Sequence, residues 1–151
     1  MKIFKNLLVI ILITFTITSC NKNRVEVGDE HLGGIVIVVD DKGKNGVIAA
    51  KKDQMERSGV DDWRKAKDFC AAYDLGGPGW RLPTKEELII MKDMRNIIGG
   101  FKNEVYWSGT LNEDGTRAFT QNFKPNQGFF IVSDWKNINT CFYCARAVKD
   151  F

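Results

Sequence analysis

The pattern of apolar and polar positions predicts an apolar leader, a β-hairpin, two helices and further strands. Residues 7–17 form a largely apolar run of 11 residues, which is too short to span a bilayer comfortably but typical of a signal peptide. Residues 33–53 predict the hairpin: a β-branched run at 35–39, the turn residues DDKGKNG, and a second apolar run at 47–50.

Helical periodicity follows the hairpin. Between residues 61 and 77, apolar side chains recur at three- and four-residue spacing, which predicts a helix with Cys70 on or beside its buried face. A second helix is predicted after Thr84, because Thr84 and Glu87 have the spacing of a capping box. The glycine pair at 99–100 is expected to end it.

The decapeptide GWRLPTKEEL at residues 79–88 combines charged, aromatic and turn-forming side chains. Pro83 holds the residue before it in an extended conformation, directly ahead of the helix cap. Arg81 fits two roles, a partner in a buried ion pair or an exposed side chain. Because adjacent helical residues point about 100° apart, Glu86 and Glu87 are not expected to form a general-acid pair. We therefore interpret the decapeptide as a structural junction.

Four strand-like runs follow the second helix, at residues 104–110, 117–123, 127–135 and 140–148. Turn-forming residues separate the first three runs. The chain has no evident internal repeat or second domain, so we predict that residues 33–151 form one α+β domain.

The leader ends in the tetrapeptide ITSC, which resembles the lipobox of bacterial lipoproteins. The resemblance implies that residues 1–19 are a lipoprotein signal peptide and that Cys20 becomes the acylated first residue. Residues 20–32 then form a lipidated N-terminus and a short polar tether, and several acyl chains hold the protein on a membrane durably. The alternative is an ordinary secretory signal with a chance cysteine.

Composition excludes several classes of function. The leader carries two lysines and no acidic residue, so its removal lowers the net charge from +3 to about +1 and leaves no electrostatic case for nucleic-acid binding. The one histidine, His31, falls in the predicted tether, away from any position where a zinc site or a catalytic triad would need it. We predict no metal ion and no cofactor.

Four stretches form a recognisable series: GGIVIVVDDKGKNGVIAA at 33–50, GWRLPTKEEL at 79–88, YWSGT at 106–110 and CARAV at 144–148. Together they resemble the Lcl C-terminal domain family, a bacterial group of domains of unknown function. The resemblance implies a C-type-lectin-like fold, in which two helices flank a twisted antiparallel sheet. It also implies a disulfide between Cys70 and Cys144, with Cys141 as the alternative partner of Cys70. A third alternative is that all the thiols are free, as expected in an anaerobic organism.

Calcium-dependent lectins of this broad fold bind sugars through EPN and WND stretches. The nearest stretches here are KPN at 124–126 and WKN at 135–137, and the lysine in each disfavours calcium, which prefers several carboxylates. We place ligand recognition in the loop region 111–139, with Trp135 as a stacking or docking anchor. The candidate ligand-binding residues are Arg117, Lys124, Asn126, Trp135, Lys136 and Asn137.

The segment RLPTKEEL is also similar to a stretch of the formylglycine-generating enzymes, which bind copper through a late cysteine pair. Cys141 and Cys144 would be that pair, but their spacing differs and this chain is far shorter. We therefore predict that the protein is not an enzyme, and a cysteine-dependent oxidoreductase is the main alternative.

The favoured hypothesis is a lipid-anchored protein of the cell envelope, at the outer membrane or cell surface rather than the inner membrane, that binds a protein or glycan ligand. A third hypothesis is a structural subunit of an envelope or surface assembly.

Overall fold

The computed structural model of the protein describes residues 24–55, 63–126, 130–133 and 143–151. These residues form an α+β arrangement of two antiparallel sheets and three helices. The strands are β1 (Glu30–His31), β2 (Gly34–Val39), β3 (Gly46–Ala50), β4 (Trp80–Arg81), β5 (Val105–Leu111), β6 (Ala118–Asn122), β7 (Phe130–Ser133) and β8 (Val148–Asp150). The helices are α1 (Trp63–Ala71), α2 (Lys85–Asp93) and α3 (Arg95–Ile98).

The first sheet has five strands in the order β1-β2-β3-β8-β4. The predicted hairpin is confirmed, since β2 pairs antiparallel with β3 and Ile35 lies opposite Ala49. The last strand, β8, lies between β3 and β4, with Ile48 and Trp80 each opposite Lys149. Strand β8 is therefore an interior strand of this sheet, next to the hairpin of β2 and β3.

The five-stranded sheet is the central layer of the core. Successive side chains of a strand point to opposite faces, so β2 and β3 can contribute to two apolar clusters. Val36 and Ile48 pack with Trp63 and Ala66 of α1 on one face. Ile35 and Ile37, with Ala49, pack with Leu88 and Met91 of α2 on the other. The apolar character of β2 on both faces is thus explained by a helix on each side.

The second sheet, in the order β5-β6-β7, is joined to the first by the segment before β8. Cys144 forms a parallel bridge with Tyr106, and the Trp107 amide donates to the Cys144 carbonyl at 3.0 Å. The next residue, Ala145, forms an antiparallel bridge with Met55. Among the described residues, the predicted extent of the strand at 140–148 is therefore wrong. Cys144 and Ala145 form isolated bridges to two different segments, and β8 begins only at Val148.

The helices differ in length from the prediction. α1 ends at Ala71, before the predicted boundary at residue 77, and residues 61 and 62 lie outside the described part of the chain. The second predicted helix is divided at Met94 into α2 and the short α3. Residues 34 to 39 and 46 to 50 agree closely with the predicted hairpin strands.

The folded domain begins before residue 33, which is its predicted start. The amide of Gly28 donates to the Val36 carbonyl at 2.9 Å, and β1 pairs with β2 through Glu30 opposite Ile35. The ring of His31 lies 4.6 Å from that of Phe151. Residues 28–32 thus form an edge of the first sheet, because their backbone groups complete the hydrogen bonding of β2.

Arg146 is a buried cation in the middle of the molecule. Its side chain is fully buried, and its Nε donates to Asp53 Oδ1 at 2.6 Å. Nη1 donates to the carbonyls of Ala50 and Gly99, and Nη2 donates to that of Gly100, at 2.8–3.1 Å. Each guanidinium nitrogen therefore has an acceptor, which a buried charge requires.

The partner carboxylate is also fully engaged. Tyr106 Oη donates to Asp53 Oδ2 at 2.9 Å and accepts from the Lys102 amide at 2.8 Å. Burial raises the pKa of Asp53, and the positive charge of Arg146 opposes that rise. The ring of Phe101 lies 4.1 Å from the guanidinium carbon. The network therefore connects the end of the hairpin, the loop after α3, strand β5 and the segment before β8.

We expect Arg146→Met to lower the free energy of unfolding by about 3–5 kcal/mol, because it leaves the Asp53 carboxylate buried without its partner. Urea denaturation followed by tryptophan fluorescence measures the loss. Lys51→Met is the matched control: Lys51 pairs with Glu30 at 2.7 Å on the surface, and its loss is expected to cost less than about 1 kcal/mol. Equal losses in the two variants would contradict the role assigned to Arg146.

Candidate functional site

The decapeptide at residues 79–88 forms the junction between β4 and α2, as predicted. Thr84 Oγ1 accepts from the Glu87 amide at 3.1 Å, and Glu87 Oε2 accepts from the Thr84 amide at 2.7 Å, which is a complete capping box. Pro83 is fully buried, and its carbonyl accepts from the Gly109 amide at 2.7 Å. The cap is therefore also attached to strand β5.

Arg81 forms ion pairs with two carboxylates, which resolves its ambiguous role. Its Nη1 and Nη2 donate to the two oxygens of Glu87, each at 2.8 Å. Nη2 also donates to Asp150 Oδ1 at 2.8 Å, so Arg81 connects the helix cap to the last strand. Hydrogen bonds to Glu87 raise the pKa of Arg81 above its already high ordinary value. The Glu87 carboxylate thus has both a capping and an ion-pairing role.

A concave surface adjoins this junction on the α1 side. The cleft has a volume of about 250 Å³ and is lined by Lys67 and Ala71 of α1, by Trp80, Arg81 and Leu82, and by Gly109 of β5. Trp80 and Leu82 form a buried apolar base, and Lys67 is exposed at the rim. The cleft is smaller than most drug-sized ligand sites, which begin at about 300 Å³, and fits one side chain or one sugar ring.

A second depression continues the cleft along α1. It has a volume of about 310 Å³ and is lined by Trp63, Arg64, Lys67 and Asp68. The Lys67 Nζ lies 4.8 Å from the centre of the Trp63 ring, so the side chain is positioned between the two depressions. Together the two depressions give a surface with an apolar base and a rim that carries Arg64, Lys67 and Asp68.

The structure does not bring the described candidate ligand-binding residues together. Arg117 precedes β6 and Lys124 follows it, so the two residues lie beyond opposite ends of this strand. Asn126 is exposed near Lys124 and has a φ of 60°. Trp135, Lys136 and Asn137 lie outside the described residues.

The structure contains Cys70 and Cys144 as thiols, without the disulfide that the family resemblance implied. Cys70 is buried in the cluster beneath α1, whereas Cys144 belongs to the cluster beneath α2, on the other face of the sheet. Burial raises the pKa of the Cys70 thiol to about 12, so it is protonated at neutral pH and a poor nucleophile. Cys141 lies outside the described residues.

Two further structural findings limit the chemistry that can be assigned. Within residues 24–55, 63–126 and 143–151, no three histidine, cysteine or acidic side chains are grouped as a metal site would require. In the described part of the chain, no helix combines the length and the apolar character needed to cross a bilayer.

Sequence reasoning missed the cleft and the Arg146 network. No pattern in the sequence indicates that Lys67 and Trp80 share a surface. The cleft arises because α1 packs beside both β4, which follows it closely in the chain, and β5, which is distant in sequence. The signal for Arg146 was weak, since a lone arginine in CARAV is compatible with an exposed strand position.

Comparison of the chain with protein-family models gives no match, and comparison with curated proteins also gives none.

We expect Thr84→Ala to lower the free energy of unfolding by about 1 kcal/mol, because it removes the acceptor for the Glu87 amide. Thr84→Ser keeps the hydroxyl and should retain most of the stability. Urea denaturation of both variants beside the unchanged protein measures the difference. If alanine and serine behaved alike, the cap would not have the structural role assigned to it.

Proposed function

We propose that this chain is a lipid-anchored protein of the cell envelope whose α+β domain is a C-type-lectin-like binding module of the Lcl C-terminal type. The leader and the ITSC tetrapeptide support the anchor. Two features support the fold: helices pack on both faces of an antiparallel sheet, and β8 pairs with β3 so that the beginning and end of the domain are adjacent.

One observation carries the proposal of a binding rather than a catalytic role: the reactive side chains of the decapeptide and of α1 have structural positions. Glu87 completes the cap and pairs with Arg81, and Cys70 is buried with a raised pKa. What remains accessible beside them is the cleft, with its apolar base and the exposed Lys67. A surface of this kind binds a ligand without needing a reacting group.

The ligand we propose is a protein or glycan that places one apolar ring or side chain on the base formed by Trp80 and Leu82. Lys67 at the rim favours a ligand that carries an acidic group beside that ring, because opposite charges attract across an interface. Envelope glycans and surface proteins both contain such groups. The proposed location is the outer membrane or the cell surface.

The oxidoreductase hypothesis receives less support from the described residues. Cys144 is buried within an apolar cluster, where copper would have to displace packed side chains such as Tyr106. Copper titration of the purified protein separates the two hypotheses, since stoichiometric copper binding through thiols would favour the oxidoreductase. A purely structural subunit would show neither copper nor ligand binding.

We expect the mature protein to begin at Cys20 and to carry acyl chains, because the tetrapeptide ITSC directs both reactions in lipoproteins. Intact-mass spectrometry of the membrane fraction of an expressing bacterium measures this. Cys20→Ala should abolish the acyl mass and leave the leader attached, whereas Cys70→Ala should retain the acyl mass. A soluble chain without acyl groups would disprove the proposed anchor.

We expect Lys67→Glu to weaken binding of the preferred ligand at least tenfold, because it reverses the charge at the cleft rim. An array of acidic and neutral bacterial glycans, probed with the full lipidated protein in detergent, identifies glycan ligands and gives relative affinities. The matched control is Lys52→Glu, another exposed lysine, which lies outside the cleft lining. Equal loss in both variants would show that general charge, and not the cleft, determines binding.

A further inference from the structure

Exposed apolar side chains are concentrated along the segment where the chain enters the domain. Among the described residues, seven large apolar side chains are exposed, and four of them belong to residues 24–33 or lie against them. We call this surface the N-terminal edge; it consists of residues 24–33 with two neighbours from the rest of the chain. Its exposed apolar members are Val27, Leu32, Leu75 and Ile97, with exposed fractions of 53%, 45%, 48% and 60%.

The contacts of the edge show that these side chains are neighbours of the entering chain. A Cβ placed on Gly28 would lie 3.8 Å from Ile97 Cγ2, next to Val27. A Cβ placed on Gly33 would lie 2.7 Å from Leu75 Cγ, next to Leu32. The edge is also the outermost position of the first sheet, since β1 has β2 as its one neighbour in the strand order.

The backbone of the edge is attached to the domain from its first described residue. Gly43, with φ of 66°, lies so close to Arg24 and Val25 that an added Cβ would be 2.5 Å from Arg24 Cγ. The Asp29 amide donates to the Glu26 carbonyl at 3.1 Å, and the Val36 amide donates to the Asp29 carbonyl at 2.9 Å. The predicted tether therefore ends at Arg24.

The remaining tether is short compared with the membrane interface. Three residues, Asn21 to Asn23, separate Cys20 from Arg24, so the two Cα atoms can be at most about 14 Å apart. The polar headgroup region occupies about 5–8 Å on each side of the hydrocarbon core. An acylated Cys20 has its lipid in that core, so Arg24, where the edge begins, lies within about 10 Å of the bilayer surface.

We propose that the N-terminal edge rests on the bilayer that holds the lipid anchor, with Val27 and Ile97 in contact with lipid at the headgroup level. The inference rests on the proposed acylation of Cys20 and extends it to an orientation of the whole domain.

The charges of the edge define the type of lipid surface that it fits. Glu26, Asp29 and Glu30 are exposed acidic residues, and Arg24 is an exposed cation on the same segment. Glu30 is paired with Lys51 at 2.7 Å. A surface of net negative charge is repelled by anionic lipid, so the contact that we propose is apolar and is made with neutral or zwitterionic headgroups. Salt should therefore leave the contact intact.

Photo-crosslinking of the full lipidated protein tests the orientation. The photoreactive residue p-benzoylphenylalanine replaces Val27 or Ile97 in separate variants, and each is reconstituted in vesicles of phosphatidylcholine and phosphatidylethanolamine. Phe69 is the matched control position, because it is 47% exposed and lies on α1, which packs on the opposite face of the sheet from α3. Mass spectrometry quantifies the lipid adducts after illumination.

We expect lipid adducts at positions 27 and 97 at least fivefold more abundant than at position 69, in both low and high salt. Similar yields at all three positions would overturn the proposed orientation, even where intact mass confirms that Cys20 is acylated. A chain that lacks acyl groups and gives no adduct at any position would overturn the anchor itself. The acyl mass thus distinguishes failure of the orientation from failure of the proposed function.

Discussion

The ion pair between Arg146 and Asp53 is the interaction on which the arrangement of the chain depends. A buried guanidinium is costly unless each nitrogen finds an acceptor, and here the acceptors come from Asp53, Ala50 and the loop at 99–100. These groups are separated in sequence by about 50 residues or more from Arg146, so they can satisfy it only in the assembled fold. The pair therefore favours one arrangement of the hairpin, the loop and the last strand, because in other arrangements the buried charge would remain unpaired.

Arg81 has a similar role nearer the surface, with a different energetic balance. Its two pairs, with Glu87 and Asp150, are partly exposed to water, so they contribute less to stability than a buried pair. Their effect is geometric, because a bidentate carboxylate pair fixes the direction of the helix cap relative to the last strand. The capping box then determines where α2 begins. The decapeptide is thus a connection between layers, and the cleft beside it results from how those layers meet.

The segment by which the chain enters the domain and the base of the cleft are linked through Leu75. The Leu75 side chain lies against Gly33, and its carbonyl accepts from Trp80 Nε1 at 2.9 Å. Under the proposed function, the anchored end of the domain and the cleft therefore belong to neighbouring parts of the molecule.

The sequence by itself determined the local elements: the hairpin through its turn residues and the capping box through the spacing of Thr84 and Glu87. These signals are local because they depend on propensity and on hydrogen bonds within a few residues. Tertiary structure alone decided that Arg146 would pair with Asp53, that Cys70 and Cys144 would lie on opposite faces of the sheet, and that Lys67 would meet Trp80 at a cleft. Each of these depends on which distant segments pack together, and a linear pattern of apolar and polar residues does not specify that choice.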